Sequence, residues 1–74
     1  MRSPEAKQVL GIVEQIKPLL AGREPSVQGA VLAELLALWL AGHLPSELRE
    51  VLLSAHIEAV RGLTKVNAKI LHGE

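Results

Sequence analysis

Apolar side chains recur along this chain at intervals of three and four residues in three stretches, with proline, glycine and serine falling between them. In the first stretch Val9, Ile12, Val13, Ile16, Leu19 and Leu20 share one side of a helix, while Glu14, Gln15 and Lys17 take the other. Ser3 suits the cap, Pro4 the first helical position and Glu5 the positive end of the helix dipole. This predicts a helix over about 4–21. Pro18 lacks the amide that would bond the carbonyl of Glu14, so an end or a kink is expected there, and Gly22 is expected to stop the segment.

The second stretch predicts a helix over about 26–41. It is apolar nearly all the way round: only Gln28 and Glu34 interrupt the run from Val27 to Ala41. Such a helix has to be covered on most sides. Gly29, Ala33, Ala37 and Ala41 stack along one line and leave room for another backbone to approach closely. Val31, Leu32, Leu35, Leu38 and Trp39 lie opposite.

The third stretch has no proline after Pro45 and predicts a helix over about 45–71. Leu48, Leu52, Ala55, Ala59, Leu63, Val66 and Ile70 form a seam along one face, nearly that of a coiled coil. Leu53, Ile57, Val60 and Leu71 form a second apolar strip, roughly 100–140° round from the first. Glu50, Ser54, Glu58, Arg61, Lys65 and Lys69 make the wet face. Gly62 costs about 1 kcal/mol relative to Ala inside a helix and is a candidate bend.

The fold class expected is therefore all-α: one domain over 1–74, a small antiparallel three-helix unit with a long third helix, antiparallel because the turns are short. A chain of 74 residues buries roughly 60% of the surface that its unfolded form exposes, so its stability is expected to be marginal. The absence of cysteine excludes disulfides and thiolate metal sites. With 49% apolar residues, no Phe or Tyr and Trp39 as the lone aromatic, the core must be built from Leu, Val, Ile and Ala. Two apolar strips on one helix, beside another helix that is apolar on every side, exceed what three short helices bury among themselves. The expected outcome is assembly into an oligomeric helical bundle, with Leu53, Ile57, Val60, Leu71, Trp39 and Glu34 at the interface. The main seam would then pack inside its own chain.

Chemistry is harder to find. His56 and His72 stand neither three nor four residues from another His or from a Glu, and the one pair at spacing four, His43 with Glu47, straddles the turn at Pro45. Helix-borne metal ligands therefore do not converge, and no metal or other cofactor is expected. Glu34 has no nucleophile or oxyanion donor beside it, and catalysis is not expected. It reads as a solvent-facing edge of the second helix or as an interfacial carboxylate paired with Arg49, His56 or a cation of a partner chain. Arg61, Lys65 and Lys69 form a basic stripe at spacing four, read as a solvated face near the negative end of the dipole. Net charge is zero, with eight basic and eight acidic residues. Neither a nucleic-acid partner nor a small-molecule substrate is indicated.

Val27 to Leu44 is close to the minimum for a membrane span, but the carboxylate of Glu34 near its middle argues for a soluble helix, and the N-terminus has no secretory pattern. The cytoplasm is the expected location. The function expected is a helical module that binds itself, as a homodimer, or another helical protein. The rivals are a nucleic-acid accessory using the basic stripe and a small metal-binding or enzymatic oligomer using Glu34 and His56.

Overall fold

The computed structural model describes residues 3–73, which form three α-helices: α1 (Pro4–Leu20), α2 (Pro25–Ala41) and α3 (Glu47–His72). Among the described residues there is no strand. The chain divides into two units, Met1–Ala33 and Glu34–Glu74, with the boundary inside α2.

In the first unit, Ser3 caps α1 by accepting a hydrogen bond from the Ala6 amide at 3.1 Å, and Pro4 occupies the start of the helix. Pro18 does not end α1, which continues to Leu20. The proline removes one bond only, and neighbouring carbonyls of the last turn keep donors. The Ala21 amide donates to the Lys17 carbonyl at 2.9 Å, and the Arg23 guanidinium donates to the Leu19 carbonyl at 2.7 Å. Gly22 adopts a left-handed conformation, φ 78°, which reverses the chain at little cost for a residue without Cβ. Gln28 then reaches back from α2 and donates to the Leu20 carbonyl at 2.9 Å. No described residue of this unit is buried.

In the second unit, the end of α2 meets the start of α3. Arg49 donates to the His43 carbonyl at 3.1 Å and to the Ala41 carbonyl at 3.0 Å, so it satisfies one acceptor at the end of α2 and one in the turn that follows. Leu36, Leu40, Arg49, Leu52 and Leu53 are half-buried. Ser46 stands before α3 without making a side-chain cap, and Gly73 closes the helix in the left-handed conformation, its amide bonded to the Lys69 carbonyl. The helix runs unbroken through Gly62.

α3, with 26 residues, is about 39 Å long, whereas the eight residues of α2 in this unit span about 12 Å. Only the first turns of α3 have a helical neighbour within the unit. Here too no described residue is buried.

Candidate association surface

Nearly all the large aliphatic side chains stand in water, and the long helix carries the most continuous array of them. On the main seam Leu48, Leu63, Val66 and Ile70 are 41%, 60%, 56% and 74% exposed, and Ala55 and Ala59 are exposed as well. The seam is thus not packed inside, as the sequence had suggested. The face of α3 that the end of α2 covers instead runs through Arg49, Leu52, Leu53 and His56, between the two strips. The reason lies in α2, whose apolar side chains are spread evenly round its axis and favour no side. Its placement is set by polar and aromatic contacts: the two Arg49 hydrogen bonds and the ring of Trp39, whose centroid lies 5.2 Å from that of His56.

Of the second strip, Ile57, Val60 and Leu71 are exposed and Leu53 is half-buried. Trp39 stays exposed, yet its ring meets two histidines: His43 edge-on at 4.9 Å and His56, tilted, at 5.2 Å. The Nδ1 of His43 lies 2.8 Å from the Trp39 carbonyl and must donate to it, which leaves Nε2 as the ring's other polar atom. The spacing of four between Trp39 and His43 is visible in the sequence. The contact with His56 is not, because it depends on how α3 turns back.

Glu34 is exposed and takes part in neither of the two ion pairs found among the described residues, Lys17 with Glu14 and Arg61 with Glu58. Of the partners considered for it, Arg49 is committed to two carbonyls, and the ring of His56 stands against that of Trp39. Among the described residues no three His, Asp or Glu side chains converge on a point. The basic stripe contains one engaged cation, since the Arg61 guanidinium bonds Glu58 at 2.6 Å. A shallow, open depression beside Gly62 is lined by Glu58, Val60, Arg61, Thr64 and Lys65, all from one helix. One helix alone encloses nothing, so the depression offers no pocket for a substrate.

Among the described residues no helix is long and apolar enough to cross a membrane. The class of protein that emerges is all-α, with three helices and an uncovered aliphatic surface. Comparison with protein-family models, curated proteins and solved structures gives no match.

Proposed function

We propose that this protein is a helical self-association module without catalysis of its own, at least dimeric at micromolar concentration. The observation that carries the reading is burial: no described residue is buried, although half the sequence is apolar. Leaving a Leu, Ile or Val side chain in water forgoes about 1.5–3 kcal/mol relative to burying it. Contiguous apolar surface of this kind marks a site where another molecule binds. A chain without disulfides that encloses no core in either unit gains its missing burial most simply from a second copy.

In the assembled bundle the helices of each chain run antiparallel, in keeping with turns of four residues after α1 and five after α2. The exposed strips of α3, with Glu34 in the middle of α2 and Trp39 near its end, supply the surface. Sedimentation equilibrium is the direct test. A dimer or larger species at micromolar concentration is expected. A species of 8.0 kDa that persists up to millimolar concentration overturns the proposal.

A further inference from the structure

We infer that α3 pairs antiparallel with α3 of a second copy, about a two-fold axis that passes beside Ala59. The inference rests on the self-association reading above and specifies its geometry.

The seam has a spacing that fits a reversed copy of itself. From Leu48 to Ile70 it advances by 4, 3, 4, 4, 3 and 4 residues, an order that reads the same from either end. Turned round and laid against itself, it sets Leu48 opposite Ile70, Leu52 opposite Val66, Ala55 opposite Leu63 and Ala59 opposite Ala59. That is what an isologous contact requires: if one residue touches a second, the second touches the first. Leu48 to Ala59 and Ala59 to Ile70 are each eleven residues. Eleven residues are nearly three full turns, so the seam stays on one side of the helix with little supercoiling. The small residues fall at the centre, where two crossing helices come closest.

The charges of α3 give the same direction. Residues 47–59 hold Glu47, Glu50 and Glu58 against Arg49, whose guanidinium is already committed to two carbonyls. Residues 60–72 hold Arg61, Lys65 and Lys69 and no acid. An antiparallel copy lays the acidic half along the basic half. A parallel copy lays like along like, with the helix dipoles aligned as well. Exposed charges of this kind add little affinity, but they decide orientation and partner. Both the spacing of the seam and the distribution of charge along the helix beside it are complementary to the reversed helix itself, and this is why the occupant is a second copy rather than a different protein.

The chain has no cysteine, so single cysteines cross-link without background. Leu48→Cys and Ile70→Cys are made separately, one carrying a mass tag, and oxidised alone and after mixing under conditions where sedimentation gives a dimer. The expected result is a mixed disulfide dimer from the combination and little from either variant alone. Ala55→Cys with Leu63→Cys repeats the test nearer the axis and serves if the first pair perturbs folding. Cross-linking of either variant with itself as efficient as the mixed product overturns the antiparallel assignment. A dimer by sedimentation that yields no cross-link from either pair also overturns it and leaves self-association standing. A monomer at every concentration removes both.

Discussion

Arg49 carries more of the local architecture than its position on a charged helix suggests. It spans two carbonyls, one at the end of α2 and one in the turn that follows, with one planar guanidinium, and Gln28 performs the equivalent service for Leu20 at the end of α1. In each turn a polar side chain from the following helix reaches back eight residues to an acceptor that the preceding helix leaves open. Arg49→Ala is expected to cost about 1–2 kcal/mol, since two charge-assisted bonds are lost at a half-buried site where water makes up part of the difference. Arg49→Lys should fall between, because an ammonium does not offer the fork that reaches both carbonyls. Urea midpoints at fixed protein concentration, ordered parent, then Lys, then Ala, check this. Equal midpoints for parent and Lys would mean the fork geometry is irrelevant. Trp39→Ala should cost about 1 kcal/mol through its two ring contacts, read in the same experiment.

At the scale of the helices, the sequence pattern was enough to place all three, because caps and breakers are local. Ser3 and Pro4 start α1, Pro25 starts α2, and no proline interrupts α3. Pro18 is compatible with an end or a kink, and α1 runs past it to Leu20: a proline near a C-terminus removes one bond, while the carbonyls of Lys17 and Leu19 keep donors. Which face of α3 meets α2 was not legible. The answer depends on Arg49 and on the Trp39–His56 contact, and neither leaves a periodic trace. At Gly29, the first of the small residues in α2, a built Cβ meets nothing within 4 Å, and the same holds for Gly11 in α1. Gly11→Ala and Gly29→Ala should therefore each stabilise by about 1 kcal/mol through helix propensity alone. Destabilisation by Gly29→Ala would instead place a second copy's backbone on that line. On α3, changing Arg61, Lys65 and Lys69 together to Gln should leave the dimer mass unchanged while relaxing its orientation. Self-cross-linking of Leu48→Cys in that background is the readout.

For the molecule as a whole, stability and association are expected to be one quantity. With no described residue buried in either unit, the isolated chain has little apolar burial with which to offset its conformational entropy. Binding between copies then adds directly to folding stability. The melting temperature should rise with protein concentration across the micromolar range, and a midpoint independent of concentration would contradict this. Leu63→Glu, at 60% exposure on the seam, should lose association by introducing a carboxylate where the second copy packs. The penalty, on the order of 3 kcal/mol, corresponds to more than a hundredfold in the dissociation constant.

The two strips of α3 differ in what they do to copy number. A seam that pairs with its own reverse uses itself up, and growth by that route stops at two. Ile57, Val60 and Leu71, on another side of the same helix, remain in water after the seam is covered. If like meets like again, pairs join into a closed set of four. If that strip meets a different surface, each addition exposes a fresh one and the chain polymerises without limit. The second strip is thus the point at which this protein is exposed to filament formation. Ile57→Glu, which charges the second strip and leaves the seam intact, should hold the particles seen by light scattering at the size of a dimer as concentration rises.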